Sequence, residues 1–265
     1  MAIAKIFYNK SIIVVSLAKN EKGGEMKKLI AIFGLAVSVF MNAAKEDLNH
    51  STKILVDFIV MSPEKQGLRI INEELSNEQL VEFSGVSEKF HDFAKPVIQE
   101  RTTRQKAVFE QNVKGDVLNL SDGDINYIFP GVFKGFGNLK ILEFPGNKLT
   151  NIAPGTFDEL VSLELLDLSR NQLNNIAQGA FNGLRKLKSL YLDHNELEKV
   201  DPEVFKRLGN LITLDLQNNK LTNIDPNVFK GLGKLKWLRL EGNKLSEGNK
   251  KALREALPKN VNIYY

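Results

Sequence analysis

The residues able to do acid–base work gather in one place. Asp193 and His194 are adjacent, and Asp215 follows 22 positions later. An imidazole beside a carboxylate is part of a hydrolytic triad, and two facing carboxylates can form an acid–base pair. Neither chemistry is completed here. No nucleophile accompanies His194, the one histidine of that region, and nothing around Asp193 and Asp215 builds a pocket that excludes water. The chain has no cysteine, which removes thiol catalysis, thiolate metal sites and disulfides together. His50 and His91 stand far apart without ligand spacing, so neither a metal nor any other cofactor is expected. The sequence reads as that of a binding protein and not an enzyme.

The elements that carry these residues are periodic. Phe133, Phe157, Phe181, Phe205 and Phe229 follow one another at steps of 24 residues, and so do Asn147, Asn171, Asn195, Asn219 and Asn243. Leu142, Leu166, Leu190, Leu214 and Leu238 keep the same step. One unit reads Leu163-Glu-Leu-Leu166-Asp-Leu168-Ser-Arg-Asn171-Gln-Leu173-Asn-Asn-Ile176, then Phe181 and Leu184. The alternation at Leu166 and Leu168 is a strand period, which excludes a run of amphipathic helices. A fixed period of this size signals a solenoid.

The pattern LxxLxLxxNxLxxIxxxxFxxLxx resembles the 24-residue class of the leucine-rich-repeat family, over roughly half of the chain. The resemblance implies an α/β solenoid, a right-handed coil with a concave parallel sheet, preceded by a small helical region. Within each unit Leu166 and Leu168 are expected to point inward, and Leu165 and Asp167 outward. Asn171 is expected to satisfy backbone groups that the turn buries, since its amide both donates and accepts. Ile176, Phe181 and Leu184 should fill the back of the coil. Asp201-Pro202 and Asp225-Pro226 predict short capped helical segments on the convex side. Some bacterial repeat proteins carry a cysteine-dependent ligase domain, which a cysteine-free chain excludes.

The repeats are read as residues 115–245. At their start Gly115 stands in place of Leu and Gly123 in place of Asn, so the first unit is degenerate and is expected to be covered. Residues 246–265 form a cap, with a helix near 249–256 stopped by Pro258 and an alternating strand through Val261, Ile263 and Tyr265. Residues 45–114 carry helical spacing at Ile54, Leu55, Phe58 and Ile59, and again at Leu80, Phe83, Phe90 and Phe93. Ser76 predicts a helix start, and Pro96 the start of another helix ending near Asn112.

Upstream, Met26-Lys-Lys precedes the apolar run Leu29–Phe40 and the small residues Ala43-Ala44. A short basic head and a run too short to span a bilayer resemble a secretory signal peptide over 26–44. Lys22-Gly23-Gly24-Glu25 can be encoded AAA-GGA-GGA-GAA, a bacterial ribosome-binding sequence, so residues 1–25 are expected to be an over-extended start. The product is then a bacterial protein that is secreted, periplasmic or on the cell surface, with no stable membrane span after cleavage.

A 265-residue chain with 43% hydrophobic and 26% charged residues has the composition of a globular protein. Its net charge is +4, but the lysines are scattered, so no nucleic-acid partner is expected. Two outward rows define the candidate surface. One contains Leu165 and Trp237, with Ile141 beside Leu165; the other contains Glu143, Asp167, Tyr191, Asp215 and Arg239. Asp193 and His194 lie just beyond the strands. Aromatic anchors among polar residues favour a protein or peptide partner, and the acidic column suggests a basic one. A structural or adhesin component is the alternative, followed by an enzyme using 45–114 as its catalytic module.

Overall fold

A computed structural model describes residues 2–8, 11–17 and 88–265 of the chain. The signal-like segment 26–44, the expected helices of 45–87 and the residues His50 and Ser76 lie outside the described residues. Two units divide the chain, Met1–Glu100 and Arg101–Tyr265. In the first, β1 (Ala2–Tyr8) and β2 (Ser11–Leu17) pair antiparallel, with Ala2 opposite Leu17 and Tyr8 opposite Ser11.

Helix α1 runs unbroken from Glu88 to Gln111. It corrects the expectation that Pro96 opens a helix, because Pro96 lies inside it. A proline removes one backbone donor and crowds the carbonyl four residues back. The turns on either side keep their own hydrogen bonds, and the helix passes through.

The second unit is the coil. Its main sheet has eight strands in the order β12-β11-β10-β9-β7-β5-β4-β3. These are β3 (Val113–Lys114), β4 (Val117–Asn119), β5 (Ile141–Glu143), β7 (Leu165–Asp167), β9 (Ser189–Tyr191), β10 (Thr213–Asp215), β11 (Trp237–Arg239) and β12 (Asn262–Tyr264). All neighbours are parallel except β3 and β4. Leu118, Leu142, Leu166, Leu190, Leu214 and Leu238 pair directly across the sheet and are completely buried. Their flanking residues face the other way, as strand geometry requires. The 24-residue step is therefore one turn of coil.

Two internal ladders hold successive turns together. Phe109, Phe133, Phe157, Phe181 and Phe205 stack at centroid distances of 5.6, 5.7, 6.1 and 6.2 Å. All five rings are buried, and each contributes about 1.5–3 kcal/mol by removal from water. The second ladder is asparagine. Asn195 Nδ2 donates to the Leu168 carbonyl at 3.0 Å and the Leu192 carbonyl at 3.1 Å, while its Oδ1 accepts from Leu173 N–H at 3.0 Å. Asn171 and Asn219 repeat this set one turn either way. Each ladder carbonyl thus accepts from the asparagines of two successive turns, as Leu168 does from Asn171 and Asn195. The Leu173 N–H would be buried without a partner but for Asn195.

The back of the coil is irregular, with a two-strand pairing of β6 (Asn151–Ile152) and β8 (Asn175–Ile176). Asp225 caps a 3-10 turn over Pro226–Phe229, accepting from Asn227 N–H. Asp201 accepts from Glu203 N–H at 2.8 Å, but the residues after it form turns and no helix. A single cap does not overcome the cost of helix nucleation in so short a segment.

Both ends are covered. At the amino-terminal edge Gln105 donates to the Tyr127 carbonyl at 2.6 Å and accepts from Phe129 N–H at 2.9 Å. Phe109 enters the ring stack one period before Phe133. At the other edge Ser246 caps α2 (Glu247–Ala256), accepting from Asn249 N–H. The helix starts two residues ahead of the expected position, with Gly248 in its first turn. Asn249 bonds both the N–H and the carbonyl of Ile224, the role that the ladder asparagines play elsewhere. β12 then pairs with β11, and Val261, Ile263 and Tyr265 pack against the core.

Candidate interaction surface

The face of the main sheet turned away from the core carries two rows. In the first, Val117, Ile141, Leu165, Ser189, Thr213 and Trp237 are paired neighbours. Val117, Ile141 and Leu165 are half-buried and Trp237 is 43% exposed. The second row runs Asn119, Glu143, Asp167, Tyr191, Asp215 and Arg239. Asn119 donates to Glu143 at 2.5 Å, and Asp167 accepts from Ser169 N–H at 2.8 Å. Leu165, Asp167, Tyr191, Trp237 and Arg239 are thus brought onto one surface, with Glu143 at its amino-terminal side.

Asp215 departs from its expected place. Its carboxylate is only 3% exposed, walled between the neighbouring rungs Tyr191 and Arg239. It accepts from Gln217 N–H at 3.1 Å and lies 3.6 Å from the Arg239 guanidinium. Burial pushes its pKa above the ordinary carboxylate value, and the nearby charges of Asp193 and Glu241 push the same way. Glu241 itself keeps one buried carboxylate oxygen without a hydrogen-bond partner.

His194 is held on both sides. Its Nδ1 lies 2.9 Å from an Asp193 carboxylate oxygen and its Nε2 lies 3.1 Å from the Asn218 side-chain nitrogen. The neutral tautomer that satisfies both contacts donates from Nδ1 to Asp193 and accepts at Nε2 from Asn218. The nitrogen that a general base needs is therefore occupied by an amide. His194 and Asn218 both have positive φ, at 53° and 51°. So do Asp122, Gly146, Arg170 and Gly242, each standing just before Asn or Gly at the turn into the core.

Charge is distributed unevenly around the coil. On the flank, Lys140 meets Asp116 at 2.7 Å, Lys148 meets Asp124 at 2.8 Å, Lys188 meets Glu164 at 2.6 Å and Lys220 meets Glu196 at 2.9 Å. Every pair is one turn apart. The lysine bonded to Asp116, Asp124 and Glu164 holds each of these carboxyls below its usual pKa. On the sheet face, Glu143, Asp167, Asp193, Asp215 and Glu241 have no lysine at ion-pair distance among the described residues. Arg239 and His194 are their basic neighbours. Among the described residues, no group of three His, Asp or Glu could hold a metal.

Tyr264 was not legible as a surface residue. It stacks on Trp237 at 6.3 Å with an interplanar angle of 20°, and it is 41% exposed. The cap makes its rung 25 residues from the last one, since Arg239 pairs with Tyr264. The 24-residue count therefore points one position short. The inward alternation of Val261, Ile263 and Tyr265 was the available signal, because it leaves Asn262 and Tyr264 outward.

A coil of stacked turns with a parallel sheet along one side defines a repeat solenoid. The leucine rich repeat family profile matches residues 116–173, 137–197, 166–206 and 185–245, and residues 116–245 belong to that family. A solved structure titled "Crystal structure of TLR13-ssRNA13 complex" matches with a TM-score of 0.51 and 27% identity. The match covers 56% of this chain and 21% of that one, so the chain spans about a fifth of that protein's length. No curated protein matches the chain. No described helix is long and apolar enough to cross a membrane.

Proposed function

We propose that this chain is an exported module that binds a protein or peptide partner through the concave face of its repeat coil. The observation that carries the reading is the electrostatic asymmetry. Flank carboxylates are answered by lysines one turn away, while on the sheet face Glu143 and Asp167 have no lysine or arginine at ion-pair distance among the described residues, on the same face as Tyr191, Trp237 and Tyr264. Aromatic anchors beside charge of one sign favour a partner of the opposite sign. A preordered sheet loses little conformational freedom on binding. Glu143, Leu165, Asp167, Tyr191, Trp237, Tyr264 and Arg239 form the contact surface. Asp193, His194 and Asp215 support it from the side or from beneath. Export rests on the basic head and apolar run of residues 26–44, and cell fractionation tests it.

RNA is the second reading, favoured by the RNA complex named in the matching structure's title. A polyanion on this face would meet an acidic row, and affinity for phosphates comes from lysine and arginine. Affinity capture with the full chain is the test, compared with a Tyr191→Ala, Trp237→Ala double variant and a Glu143→Lys, Asp167→Lys variant. Both variants are expected to lose at least tenfold in affinity for the captured partner, and the second to lose the salt dependence as well. Undiminished capture by both, or tighter binding of single-stranded RNA than of the partner, overturns the proposal.

A further inference from the structure

We infer that the partner presents a basic amphipathic helix, laid along the coil axis across the amino-terminal rungs of the sheet; this rests on the concave-face reading above. Two lanes run side by side there. Val117, Ile141 and Leu165 form an apolar lane on three consecutive paired rungs, all half-buried and facing away from the core. Glu143 and Asp167 form an acidic lane two residues further along the same strands. Neither carboxylate has a lysine at ion-pair distance among the described residues, unlike the flank pairs.

Rung spacing selects the partner's backbone. Neighbouring strands lie about 4.8 Å apart, so the apolar lane from Val117 to Leu165 covers about 10 Å. On a helix, residues i and i+7 are about 10.5 Å apart, with i+3 and i+4 between them on the same side. Successive apolar side chains of a helix therefore meet successive rungs. An extended segment places same-side residues about 6.7 Å apart, or about 13 Å over two steps. It overshoots the lane by most of a rung and falls out of register by the third contact. A helix laid in a groove by one apolar stripe is an established way of recognising peptides. The acidic lane requires lysine or arginine on the flank of that stripe, which fixes both the rotation of the helix and its charge.

The test uses two designed peptides of about 18 residues and identical Leu, Lys and Ala composition, long enough as a helix to span the six rungs. One places leucine at i, i+3, i+4 and i+7 with lysines on one adjacent face. The other alternates leucine and lysine, so that it favours an extended chain. Titration against the full chain is expected to give at least tenfold tighter binding of the helical peptide. Leu165→Asn is expected to weaken that peptide about tenfold and the alternating one by less than twofold, and Asp167→Asn to weaken both. Circular dichroism confirms that each variant is folded. Equal or tighter binding of the alternating peptide, no binding by either, or preference for single-stranded RNA overturns the helix assignment. If the peptides do not discriminate while Tyr191→Ala, Trp237→Ala still abolishes capture of the partner, the concave-face reading stands and the helix inference alone falls.

Discussion

Asp215 shows how one residue's neighbours decide its role. Its position in the outward row suggests a solvated charge, yet Tyr191 and Arg239 on the adjoining rungs enclose it. Desolvation raises its pKa, so the folded chain binds this proton more tightly than the unfolded one. Its contribution to stability is thus fully present in acid, below the unfolded carboxylate value, and is lost as pH rises through the raised folded value. An Asp215→Asn variant keeps an acceptor for Gln217 N–H and removes the buried charge. Its melting temperature is expected to exceed that of the parent at pH 7, with the difference closing as the pH falls below the ordinary carboxylate value, where Asp215 is protonated in the folded and the unfolded chain alike. A lower melting temperature at pH 7 would show that the Arg239 contact outweighs desolvation. Charge reversal at this site would disrupt the sheet locally, so the acidic row is better tested at Glu143 and Asp167.

Among the elements, the last turns of α1 act as an additional repeat in a different backbone form. Phe109 lies 24 residues before Phe133 and stacks on it as the later phenylalanines stack on each other. Gln105 supplies the hydrogen bonds that a preceding coil would give to Tyr127 and Phe129. The first unit lacks a ladder asparagine, with Gly123 in its place, and depends on this helix for cover. Phe109→Ala is expected to cost about 3–5 kcal/mol, the usual range for a buried phenylalanine. Hydrogen exchange should place the resulting loss of protection first in residues 101–130. Unchanged protection there would show that the helix rests on the coil without supporting it.

At the scale of the molecule, each turn contacts its neighbours alone, and stability accumulates along the stack. The ladders make that coupling strong, because the asparagine of one turn satisfies the backbone of the turn before it. Asn195→Ala leaves the Leu173 N–H without its partner, while the Leu168 and Leu192 carbonyls each lose one bond and keep another, from Asn171 and Asn219. The expected loss is roughly 1–3 kcal/mol, the usual cost of one buried donor left unsatisfied. Urea unfolding of this variant should remain one transition, with circular dichroism and the fluorescence of Trp237 moving together. Separate midpoints would mean that the coil breaks into independent halves at the substitution.

The sequence determined the stacking, the inward and outward faces and the positions of both ladders. A fixed period repeats the same local instruction, so that Leu166, Asn171 and Phe181 each predict their counterparts a turn away. It also marked Leu165, Asp167, Tyr191 and Trp237 as sharing a face, since parallel in-register strands bring equal positions together. The tertiary structure alone decided what depends on unlike neighbours. Asp215 is buried because Tyr191 and Arg239 are large, and the period does not encode the bulk of adjoining rungs. Tyr264 reaches the surface because the cap lengthens the last turn by one residue, and Phe109 joins the stack from a helix, where no strand pattern announces it. Pro96 stays within α1 because a helix can lose one hydrogen bond while its neighbouring turns hold. The period therefore wrote the architecture, while side-chain volume and the two caps set which of its residues meet solvent.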